Sequence, residues 1–136
     1  MTTKVSADQA RDLARSFREV SVQLGDYRFK NWNFLTPKQR QELEDSEWTL
    51  LNYSSDLITL AVGITLDDAK ASLDRIQEAT TQAKEAIETI KNIKKAIIIA
   101  GAVIKLGAAI VTKNPEMIGS AVEDIFSALT SDKDTQ

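Results

Sequence analysis

From Ala7 onward, apolar residues return every three or four positions, which is the spacing of one face of an α-helix. Ala10, Leu13, Ala14, Phe17, Val20 and Leu24 keep that spacing until Gly25, and Ser6 with Gln9 makes a capping box ahead of them. The pattern predicts helix 1 over about 7–24. The next stretch, GDYRFKNWNFLT, reads as an aromatic loop over 25–36. Aromatic rings interleaved with Arg28 and Lys30 suit base stacking on a single strand, but the rings of a loop this long are expected to tuck against the helices it joins. Thr36, Pro37 and Gln39 then supply an N-cap, a first-turn proline and a capping-box partner, so helix 2 is expected over about 37–63, ending at Gly63.

Beyond Gly63 the three-four rhythm resumes at Leu66, Ala69, Leu73, Ile76, Thr80, Ala83, Ile87 and Ile90, a heptad pattern held for more than three repeats. Helix 2 carries a matching series in Leu43, Ser46, Leu50, Tyr53, Leu57, Leu60 and Ile64. An antiparallel hairpin requires partners whose numbers sum to a constant. Leu57 with Leu73, Leu50 with Thr80 and Leu43 with Ile87 sum to 130; Leu60 with Ala69, Tyr53 with Ile76 and Ser46 with Ala83 sum to 129. The two series together predict an antiparallel coiled-coil hairpin of helices 2 and 3.

No proline or glycine interrupts 66–100, so helix 3 is expected to run to about residue 112, a rod of about 70 Å at 1.5 Å per residue. Its second half, AIIIAGAVIKLGAAIV over 96–111, is apolar on every face. Asn114 and Pro115 open helix 4 over about 115–129, and the polar residues 131–136 form a frayed tail. The fold class expected is all-α: a single domain over 1–136, built as an elongated antiparallel hairpin or bundle of four helices with one very long helix. A break near Asn92, folding the apolar half into a compact bundle, is the alternative.

In the elongated form the apolar half outruns its cover. Ile97, Ile98, Val103, Ile104, Leu106, Ile110 and Val111, with Ile118, Val122, Ile125 and Phe126 from helix 4, then make an interaction surface completed by a homodimer partner or another helical protein. A membrane offers a second cover. Lys91, Lys94 and Lys95 precede the segment like interfacial anchors, and with helix 4 the 96–129 hairpin resembles in outline the apolar head of helical pore-forming proteins, a likeness of pattern that carries no shared motif. Against insertion, sixteen residues span only about 24 Å of a hydrocarbon layer of about 30 Å, and Lys105 lies among them. Packing against protein is the expectation, with pore-forming-like membrane insertion as the alternative.

Composition narrows the chemistry. The chain of 136 residues has no Cys and no His, which removes thiolate metal sites and the commonest general base. Its net charge of −3 is spread unevenly along the chain, but no stretch carries the strong basic excess on one face that nucleic acid requires. Glu44 with Glu47 and Glu85 with Glu88 are spaced as acidic pairs that hold Mg²⁺ on facing helices, but in the expected hairpin Glu85 and Glu88 point away from the seam. All four are expected on solvated faces, where replacing Glu44 and Glu47 by Gln costs only a few tenths of a kcal/mol. No phosphate loop, nucleophile elbow or zinc signature is present. The N-terminus lacks the apolar run of a signal peptide. The reading is therefore a non-enzymatic, cytoplasmic interaction or self-assembly module without cofactor or metal.

Overall fold

The computed structural model describes residues 4–64 and 72–130, and it is all-helical. α1 is Ala7–Lys30, α2 is Pro37–Leu60, α3 is Leu73–Thr89, α4 is Ile93–Val111 and α5 is Pro115–Thr130; a single 3-10 turn at Trp32–Phe34 joins the first two. The first turn of the long helix expected from 66, including Ala69, lies outside the described residues.

Ser6 and Thr36 cap α1 and α2 through complete capping boxes, as the sequence pattern requires. Gly25 does not end α1. A Cβ there would lie 3.0 Å from Glu47 Oε1, so this glycine serves the close approach of α2 rather than a left-handed turn. The helix continues to Lys30, where the Asn31 side chain and backbone N–H both donate to the Tyr27 carbonyl. α2 stops at Leu60, and Gly63 takes φ +84 in the turn that follows.

The hairpin is formed by α1 and α2, not by helices 2 and 3. Ser54 Oγ donates to the Ala14 carbonyl at 2.7 Å and Ser21 Oγ to the Glu47 carbonyl at 2.8 Å, two pairs whose numbers sum to 68. At the open end, Val5 N–H donates to the Ile64 carbonyl and Gly63 N–H to that of Val5, in the same register. Leu57, Leu50 and Leu43 thus oppose Ala10, Phe17 and Leu24, and all six are fully buried. α2 packs on α1 and α4, whereas α3 packs on α1, α5 and α4. The coiled-coil layers expected between helices 2 and 3 do not form, because α1 is as long as α2 and six residues away along the chain, and it takes the leucine seam first.

The very long helix is also absent: it breaks between Thr89 and Ile93. Ile90 is extended at φ −71 and ψ 140, and the Asn92 side chain caps α4 by accepting from Lys95 N–H at 3.0 Å. The break costs a few backbone hydrogen bonds, partly restored by that cap. In exchange the apolar segment turns back into the bundle, where each buried Ile or Leu contributes about 1.5–3 kcal/mol.

α4 packs against all four of the other helices. Ala96, Ile99, Ala100, Val103, Leu106, Gly107, Ala109 and Ile110 are buried in it. The fold is therefore four helices around an apolar fifth. α4 ends in a Schellman turn, with Asn114 N–H donating to Ala109, Lys113 N–H to Ile110 and Lys113 at φ 55. α5 returns antiparallel beside it. Lys105, which the apolar run strands on the α4 surface, reaches Asp124 of α5 at 2.5 Å and Ser120 at 3.4 Å.

Two glycines of α4 separate the demands of packing from those of the helix. A Cβ on Gly107 would lie 2.5 Å from Tyr53 Cδ2 and 3.0 Å from Phe17 Cε2, whereas one on Gly101 would meet nothing within 4 Å. Gly107→Ala should destabilise the protein by about 1–3 kcal/mol through overpacking. Gly101→Ala should stabilise it by about 0.5–1 kcal/mol by lowering backbone entropy. Urea unfolding of the two variants is expected to give shifts of opposite sign; equal shifts would contradict the central placement of α4.

Candidate functional site

The residues expected to form an interaction surface lie mostly inside the bundle. Val103, Leu106, Ile110, Ile118, Val122 and Ile125 are buried, while Ile97, Ile104, Val111 and Phe126 are partly buried against the same core. Ile98 alone of that set is strongly exposed, at 60%.

Exposed apolar surface is found elsewhere, and helix geometry says where. The residues of α2 and its C-cap that face α1 are Glu47, Leu50, Ser54, Leu57 and Ala61. Each is followed by one residue turned about 100° further round the helix. Those residues are Trp48, Leu51, Ser55, Ile58 and Val62, all exposed. The same step on α1, from Ala10, Ala14, Phe17, Ser21 and Arg28, gives Arg11, Arg15, Arg18, Val22 and Phe29, also exposed. Because the two helices are antiparallel, equal rotations turn both rows to the same side of the hairpin, away from α4. Ten large hydrophobic residues are strongly exposed among those described. Six lie on these two rows, and Trp32 and Phe34 stand in the turn at the hairpin end, leaving only Leu60 and Ile98 elsewhere.

The aromatic segment contributes to this face rather than to the core. Tyr27 is 2% exposed, but Phe29 is 68% and Phe34 76% exposed. The expectation that the rings tuck inward holds for Tyr27 alone, since α1 extends past Gly25 and carries Phe29 on its outward row. Phe29 and Trp32 are stacked with centroids 6.2 Å apart. The Arg28 guanidinium lies over Phe29 at 4.7 Å and that of Arg40 over Trp32 at 4.2 Å, while Arg40 also donates to the Trp32 carbonyl. The corner is thus braced by ring stacking and two guanidinium contacts. Below it, the Tyr27 hydroxyl is buried without a hydrogen-bond partner among the described residues, and burial pushes its pKa up from the ordinary phenol value.

The charged residues on the rows themselves are mostly basic. Arg11 and Arg15 make only exposed ion pairs with Asp8 and Asp12, and Arg18 has no ion-pair partner among the described residues. Glu44, at the end of the α2 row, lies 4.0 Å from Arg28. The half of the face beside Leu51 and Ile58 therefore carries three arginines and no acid on either row.

The acidic pairs are not brought together. Glu85 and Glu88 are exposed on α3, whereas Glu47 is half of a nearly buried ion pair: Arg28 Nε donates to its Oε2 at 2.6 Å and Nη2 to its Oε1 at 3.2 Å. The hydrogen bond to Glu47 raises the Arg28 pKa. Among the described residues no group of three or more acidic side chains could hold a metal ion. No protein-family model, curated protein or solved structure matches the chain.

The exposed row was legible in principle. Leu51, Ile58 and Val62 fall outside both the α2 seam and any partner series, but reading them as surface requires knowing that the α1 side of the hairpin is the occupied one.

Glu47 sets a test against the solvated reading of that carboxylate. Glu47→Gln leaves Arg28, with only 11% of its side chain exposed, short of its counter-charge, and should destabilise the protein by about 1.5–3 kcal/mol. Glu88→Gln should stay within about 0.5 kcal/mol of the parent. Chemical denaturation of both variants distinguishes a structural carboxylate from a solvated one; equal and small changes would return Glu47 to the solvated class.

Proposed function

We propose that the protein is a non-enzymatic helical interaction module, and that its docking face is the outward side of the α1–α2 hairpin. One observation carries this reading: Trp48, Leu51, Ile58 and Val62 form an exposed row beside Val22 and Phe29, where a lone folded chain gains nothing from apolar side chains. Trp, Phe and Arg are also the residue types that anchor protein interfaces most often. The braced corner of Phe29, Trp32, Arg28 and Arg40 adds a patch whose ordering cost is partly met in the free protein.

The apolar segment 96–111 has a different role in this reading, as the core that holds the docking face in shape. Insertion of that segment into a membrane lacks comparable support, because no helix among the described residues is long and apolar enough to cross one.

A photoreactive amino acid placed singly at Trp48, Leu51 or Ile58 tests the face in living cells. Irradiation should give a discrete adduct from these positions, and none from Ser127, which is exposed on α5. Adducts of equal yield from all four positions, or none from the hairpin, would remove the support for this face.

A further inference from the structure

The occupant of the face can be specified from its charge. We infer that it receives an amphipathic helix of a partner protein, seated with its apolar stripe on the α2 row and an acidic edge toward α1; this rests on the docking reading above. Trp48, Leu51, Ser55, Ile58 and Val62 are spaced by three and four and include no charged residue, which is the surface that an i, i+3, i+7 series of apolar anchors fits.

The hairpin register places the basic line beside the apolar one. With partners summing to 68, Arg18 stands near the level of Leu50, Arg15 near that of Tyr53 and Arg11 near that of Leu57. Packed helices lie about 8–10 Å apart. A helix on the α2 row consequently has one edge beside the three arginines, where carboxylates can pair with Arg18 and share Arg11 and Arg15 with Asp8 and Asp12. Arg11, Arg15 and Arg18 are then docking groups rather than general surface charge, which accounts for the absence of acids on that half of both rows.

A second copy of the chain is a poorer match. Seated antiparallel on its own row, it brings the arginines of both copies to the same edge, where like charges oppose each other. Seated parallel, it offers the three arginines only Asp56 at that level. The aromatic corner at the far end does not favour a nucleic-acid strand either, because Phe29 and Trp32 each already hold a guanidinium over a ring face and stack on one another.

The test is selection of a phage-displayed library of helical peptides against the full-length chain, with mixed apolar and charged residues at the variable positions. Selected peptides should share an apolar stripe with Asp or Glu along one edge. A synthetic copy of the best peptide should bind about tenfold or more weakly to the Arg11→Glu, Arg15→Glu, Arg18→Glu variant, as loss of three exposed pairs implies. A version with a lysine edge should show the reverse preference. Leu51→Asp, or Ile58→Ser as a milder change, should remove binding while the thermal unfolding of the chain is kept. Selected peptides without an acidic edge, or binding indifferent to the arginine reversals, would overturn the inference. So would a chain that is dimeric by light scattering and forms a disulfide dimer through Ser55→Cys, the sole cysteine it would then contain. Photo-adducts from Trp48 in the face of either result would leave the docking reading standing and sink only the acidic-helix inference.

Discussion

Burial of α4 is the constraint from which the rest of the architecture follows. A nineteen-residue helix that is apolar on nearly every side has no stable place on the surface of a small protein, and two partners cannot cover it. Four helices do. The α1–α2 hairpin covers one side, with Tyr53 and Phe17 reaching the bare backbone at Gly107, and α3 with α5 covers the other. The break at Ile90–Asn92, the left-handed Lys113 and the Lys105–Asp124 pair are local adjustments that let this helix sit in the centre and still leave its lysine in water.

Covering α4 uses only the inward side of the α1–α2 hairpin. Nothing in the folding of the bundle requires Trp48, Leu51, Ile58 or Val62 to be apolar, because each lies one helical step beyond the seam that α2 shares with α1. An apolar row that the core does not need is the observation on which the proposed docking face rests. That separation between residues spent on stability and residues spent on the outward face supports the functional reading.

Much of the fold was legible in the residues. Capping boxes at Ser6 and Thr36, the proline at 37 and the Asn114–Pro115 restart give the starts of three helices correctly. The pairing of helices was not legible, for a geometric reason. Any two heptad rows satisfy a constant-sum test, so Leu43, Leu50 and Leu57 fit α1 as well as they fit the helix after Gly63, and only competition among all helices for the same seam decides. The break at Asn92 was similarly hidden. Its cap is a single side-chain bond to Lys95 N–H, and a lone Asn in a stretch of good helix formers carries little local signal. The candidate surface was misplaced as a consequence, since an unbroken helix would have exposed Ile104 and its neighbours that the folded bundle covers.

Residue-by-residue amide hydrogen exchange tests the central claim most directly. If α4 is the helix around which the bundle is built, the amides of residues 97–110 should exchange only through global unfolding and be the slowest in the chain, ahead of those in α1 and α2. Exchange of the α4 amides that is faster than in the α1–α2 hairpin, through opening of the α4–α5 pair alone, would contradict it.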